Sequence, residues 1–164
     1  MSKELPTILA VNPGSRYIGF AAFRGPDLLD WGVRVVSAKT PRGRARVARQ
    51  IVKEAIERFQ PDALAVKRLH ASRTSTCLDQ LTDSILELSR RRKLKVHQYS
   101  ITQLKNVLCS EANGNKRRLA AAVAAIYPVL SREFQKEMAN RHPYYLRMFE
   151  AVALGIVCYR QSGE

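Results

Sequence analysis

The chain has 164 residues, 46% of them apolar, which suits one folded domain (1–164) with a core of its own and argues against a disordered polymer. Twenty-eight Lys and Arg against 14 Asp and Glu give a formal charge of +14, an excess that calls for an anionic partner, nucleic acid first. Cys77, Cys109 and Cys158 are too few and too scattered for a disulfide framework or a cysteine zinc site. With no signal-peptide-like start and no apolar run of bilayer length, the expectation is a cytoplasmic protein without membrane contact.

Ile8 to Val11 is a short apolar run stopped by Asn12-Pro13-Gly14-Ser15, the pattern of a buried strand ending in a turn. Tyr17 to Phe23 is a second strand. Gly25-Pro26-Asp27 turns the chain into a third, Leu28 to Val36, where Leu29, Trp31, Val33 and Val35 alternate. Together they predict an antiparallel meander. Val47, Ile51, Ala55, Ile56 and Phe59 place a helix over 42–59. Pro61-Asp62 breaks it before the strand Ala63 to Val66. After a polar loop, His70 to Thr76, the spacing of Leu78, Leu81, Ile85 and Leu88 marks another helix. Its closing cations, Arg90 to Lys93, suit a helix C-terminus. Lys95 to Tyr99 is a fifth strand, and Ser100 with Gln103 forms a capping-box pattern for a short helix. Asn113-Gly114-Asn115 is a turn, 116–127 a helix, 128–143 irregular or weakly helical, and 144–160 a largely apolar helix. The order predicts an α/β fold: a mixed five-stranded sheet, three antiparallel strands then two parallel, with helices on both faces.

Three segments resemble the RuvC-type Holliday-junction resolvases, a family of the ribonuclease-H-like superfamily. Ile8 to Phe23 resembles the family's first two strands, with an apolar strand, an Asp-Pro-Gly-Ser-Arg turn and a Gly three residues on. Gln60 to Lys67 resembles its fourth strand, which ends in Glu. Glu150 to Leu154 resembles its last helix, where two Asp stand three residues apart. An Asp-x-Gly strand opening also occurs in actin-like ATPases, but no second phosphate loop of that kind is present. The resemblance implies a ribonuclease-H-like fold and a dimer that cuts four-way DNA junctions with Mg²⁺ during recombination and repair.

The resemblance also implies a site of four acids holding two hard cations. Here the matching positions are Asn12, Lys67, Arg147 and Glu150. A Lys about 4 Å from a divalent ion repels it by roughly 8 kcal/mol at an effective dielectric of ~20. The expectation is therefore no bound metal, no cofactor and no hydrolysis by the family's route. Cationic side chains could serve as counter-charges for Glu150 in place of metals, or could hold a phosphate there. The plainer alternative has Lys67 and Arg147 pointing to solvent.

By the same resemblance, Lys105 and Lys116 match lysines that contact DNA phosphates, and Arg117 and Arg118 extend the second cluster. His70 matches a base-stacking aromatic, with Arg68 and Arg73 beside it, and Arg16 lies in the first turn. The family's Gly-Gln-Ala-Arg-Gly element is replaced by Thr82-Asp83-Ser84-Ile85-Leu86, which puts its dimer packing in question although a two-fold dimer is the default. Three functions follow: a non-catalytic protein that binds branched or duplex DNA, a structure-selective endonuclease working through Glu150, or a basic module that binds protein or RNA.

Overall fold

The computed structural model describes residues 4–69, 75–109, 114–139 and 144–162. Five strands, β1 (Thr7–Asn12), β2 (Tyr17–Arg24), β3 (Asp27–Val35), β4 (Ala63–Lys67) and β5 (Lys95–Tyr99), form one sheet in the order β3-β2-β1-β4-β5. β1 to β3 are antiparallel neighbours, while β4 runs parallel to β1 and β5 parallel to β4. This is the predicted mixed sheet. β1 and β4 lie at its centre and are covered on both faces, which is why they read as unbroken apolar runs.

Helices α1 (Pro41–Phe59) and α2 (Thr76–Arg91) cover one face, packing on Leu9, Val11, Ile18, Leu64 and Val66. Helices α3 (Ile101–Leu108), α4 (Lys116–Ile126) and α6 (Leu146–Ser162) cover the other, against Ile8, Ala10, Phe23 and Ala65. Every residue of α6 from Met148 to Cys158 is buried, so this helix has no polar stripe to betray its orientation. Small residues on the facing strands let it sit close. A Cβ on Gly19 of β2 would collide with the backbone carbonyl of Arg147 in α6.

Two expectations need correction. Within 128–143, the described residues 128–139 are more regular than their sequence implies: a 3₁₀ turn at Pro128–Leu130 leads into α5 (Ser131–Ala139). The only fully buried residue of α5 is a carboxylate, Glu137, and Phe134 packs on the core only in part, so the apolar signal for this helix is weak. That same carboxylate explains why α6 begins at Leu146 and not at Tyr144. Glu137 accepts the backbone N–H groups of Tyr144 (3.1 and 3.2 Å) and Tyr145 (2.9 Å), meeting donors that the first turn of a helix leaves unpaired.

Candidate functional site

Parallel pairing of β1 with β4 sets Val11 beside Val66, so Asn12 and Lys67 end adjacent strands at one end of the sheet. Glu150 reaches them from α6, one turn past the Gly19 contact. Its carboxylate is the centre of the site. Oε2 accepts from Asn12 Nδ2 at 2.6 Å and from Lys67 Nζ at 2.9 Å. Asn12 Nδ2 also lies 3.2 Å from the backbone oxygen of Arg147, fixing the amide between α6 and the carboxylate. Lys116, the first residue of α4, brings its ammonium to 3.2 Å from Oε1. That contact is an ion pair, although Oε1 has no aligned hydrogen-bond donor. Side-chain exposure is 4% for Glu150, 17% for Lys67 and 49% for Lys116, so only Lys116 is substantially open to solvent.

Burial pushes the Glu150 carboxyl up, but the charges of Lys67 and Lys116 and the hydrogen bond from Lys67 outweigh it, leaving the group below its ordinary 4.5. Burial pushes the Lys67 ammonium down from 10.5. Glu150 opposes that shift, while Lys116 and Arg147 add to it. The carboxylate is thus held ionised among an excess of cations.

The counter-charge expectation holds for Lys67, well inside the 6 Å limit at which such an attraction turns weak. It does not hold for Arg147. The guanidinium of Arg147 lies against Gly14 in the β1–β2 turn, where a Cβ would collide with it. Spacing along the helix gave Arg147 and Glu150 a common face but could not show that this turn offers an open place for the side chain. The second counter-cation is Lys116, which resemblance alone had assigned to phosphate contact. Two hard cations do not fit this donor set. One carboxylate oxygen is already met by an amide and an ammonium, and the other faces a second ammonium. Among the described residues no three His, Cys, Asp or Glu side chains come together as a metal cluster.

The other expected residues surround the same end of the molecule. Arg16 is exposed in the β1–β2 turn, where its carbonyl accepts the Val36 N–H at 2.8 Å. Arg68 is exposed just past β4, its N–H donated to Tyr99 at 2.8 Å. Lys105 is half-buried on α3. Arg117 and Arg118 are exposed in the first turn of α4, where Asn115 Oδ1 accepts the Arg118 N–H at 2.8 Å. His70 and Arg73, and with them the stacking role expected of His70, lie outside the described residues. Sequence reasoning missed an aromatic group beside the site. Tyr17 packs edge-on against Tyr144 (5.3 Å between centroids), and Tyr144 against Tyr145 (4.9 Å). No pattern in the chain joins residues 17 and 144.

Comparison with known proteins agrees with this fold. A family model described as "Crossover junction endodeoxyribonuclease RuvC" matches residues 8–140. The protein of that name from Shewanella loihica is 28% identical over 130 residues, covering 74% of this chain and 75% of its own length. The one from Thermomicrobium roseum is 26% identical over 132 residues, covering 75% of this chain and 81% of its own. Among solved structures, Thermus thermophilus RuvC superposes with a TM-score of 0.72 at 19% identity, over 96% of both chains. The same protein in complex with Holliday junction substrate gives 0.71 at 20% identity, also over 96% of both. The yeast mitochondrial Holliday junction resolvase gives 0.69 at 14% identity, over 99% of this chain and 83% of the other. The family match spans well over half of the sequence, and the chain belongs to the RuvC family of crossover junction endodeoxyribonucleases.

Proposed function

We propose that this chain binds branched or duplex DNA through shape and phosphate contacts, and that it does so without cutting it. The observation that carries the reading is the state of Glu150. This one carboxylate at the positions of the family's acidic site is engaged by Asn12, Lys67 and Lys116. Lys67, Lys116 and Arg147 outnumber it and leave two positive charges in surplus. A cluster of that sign attracts the oxygens of a phosphodiester, and a cationic site relieves the self-repulsion of a +14 chain when the anion docks. The DNA component is supported by the relative whose structure holds a Holliday junction substrate. In this reading Arg16, Arg68, Lys105, Arg117 and Arg118 continue the contact. A two-fold dimer belongs to the proposal, and sedimentation tests it.

The test is a gel-shift series of four-way junction, linear duplex, single strand and RNA, with Mg²⁺ or Mn²⁺ present. Tighter binding to the junction, with no strand cut, is the expected result. Cutting by the wild type well above a Glu150→Ala preparation would overturn the non-catalytic reading. Equal affinity for all four ligands would overturn the preference for branches.

A further inference from the structure

The charge on α1 is divided along its length. Between Asp30 and Glu54 the chain carries seven Lys and Arg and no acid. The first turn of α1 contains no acidic residue, yet Arg42, Arg44 and Arg46 all fall in its first six positions. Cations there face the positive end of the helix dipole, so they oppose the local electrostatics of the helix they belong to. The far end of α1 is ordinary. Glu54 and Glu57 return, Arg58 pairs with Asp30 at 3.2 Å, and Glu57 pairs with Arg92 at 3.2 Å.

The basic half is also the half without partners. Lys39, Arg42 and Arg46 are exposed, and none forms an ion pair among the described residues. Arg44 and Arg49 are the exceptions, Arg49 donating to the Ser84 carbonyl at 3.5 Å; Arg44 matters more to the fold. It turns inward, donating to the Ala38 carbonyl at 3.1 Å and reaching Cys77 Sγ at 4.0 Å, which ties the start of α1 to the start of α2. Sheet topology places this surface at the end where Asn12, Lys67 and Glu150 meet. β1 and β3 both finish there, α1 starts there, and the Val36–Arg16 hydrogen bond joins the approach to α1 with the β1–β2 turn. Lys105 and Lys116 come from helices on the opposite face of the sheet.

We propose that Lys39, Arg42 and Arg46 form a second phosphate-binding surface, which seats the backbone of a duplex segment on the α1 side while the Lys116 side holds another. The proposal rests on the DNA-binding reading above and adds a distinct surface to it. Cations set against a helix dipole and left without carboxylates weaken the fold locally, and a polyanion is the partner that offsets this.

The test compares two variants of equal net charge. Lys39→Gln/Arg42→Gln/Arg46→Gln removes three cations from the proposed surface. Arg58→Gln/Arg91→Gln/Arg92→Gln removes three from the opposite end. Binding of a four-way junction and a linear duplex is measured across a salt series. The first variant should lower the slope of log affinity against log salt by about 2–3, at ~0.9 per lost contact, and weaken binding roughly 10–100-fold at 0.1 M salt. The second should stay near the wild type. Thermal midpoints supply the independent readout: the first variant should hold or gain stability, because it relieves the dipole. Equal loss in both variants, no loss in the first, a lower midpoint in the first, or equal loss against a single strand would each overturn the inference. A wild type that binds no nucleic acid would sink the underlying reading as well, whereas binding untouched by the first variant sinks this surface alone.

Discussion

Lys67 Nζ stands 2.9 Å from Glu150 Oε2, across the seam between the end of a central strand and the first turns of a buried helix. The pair ties β4 to α6, and its carboxylate is almost wholly enclosed. Removing one partner leaves a buried charge poorly matched. Lys67→Met should cost about 2 kcal/mol in denaturant unfolding, less than the ~3–5 kcal/mol of a fully isolated pair because Lys116 still faces the carboxylate. The double replacement Lys67→Met/Glu150→Leu should recover most of that loss. A single variant no less stable than an ordinary surface substitution would refute the tie.

Acid should expose the same interaction. Glu150 is held below 4.5 in the folded chain and returns to its ordinary value on unfolding. The unfolded state then binds the proton more readily, so the stabilisation is fully present above that value and is lost as pH falls through the folded value. The thermal midpoint of the wild type should therefore drop towards that of Glu150→Gln as pH falls from about 6 to about 3. A constant difference between the two across this range would contradict the direction of the shift.

Binding should respond to Glu150 in the opposite sense from a catalytic carboxylate. Glu150→Gln removes the negative charge that engages Lys67 and Lys116. Affinity for duplex or junction should rise roughly threefold at low salt and converge on the wild type as salt increases. Lys116→Gln should weaken binding. Weaker binding by Glu150→Gln in a titration with a labelled junction would remove the phosphate role of this cluster.

Glu137 makes a purely structural prediction. Its buried carboxylate holds the N–H groups of Tyr144 and Tyr145 ahead of α6. Glu137→Ala should destabilise by about 2 kcal/mol, and Glu137→Gln by about half as much because one amide oxygen still accepts. Hydrogen exchange should accelerate at Tyr144 and Tyr145 in the alanine variant. Unchanged exchange at both amides would mean the contact does not hold the entry to α6.

Much of the fold was legible in the chain because its signals are local. Alternation in 28–36, the capping Ser100 and Gln103, and the break at Pro61 each act over a few residues. The shared position of Asn12, Lys67 and Glu150 followed from resemblance to one family. What remained hidden depends on distant geometry. Arg147 turns to the space over Gly14, and Lys116 reaches Glu150 from a different helix; neither choice is encoded in spacing. α5 was obscured because its one fully buried side chain is Glu137, a residue that patterning counts as polar.

The Asn12, Lys67, Lys116 and Glu150 cluster carries a consequence for assembly of the site. Strand ends β1 and β4 and helices α4 and α6 meet at a carboxylate whose counter-ions are covalently part of the chain. No diffusible ion has to be captured before this corner of the protein takes its shape. Chelators should leave the thermal midpoint unaltered. If the chain binds nucleic acid as proposed, any magnesium dependence of binding should then report on the folding of the nucleic acid.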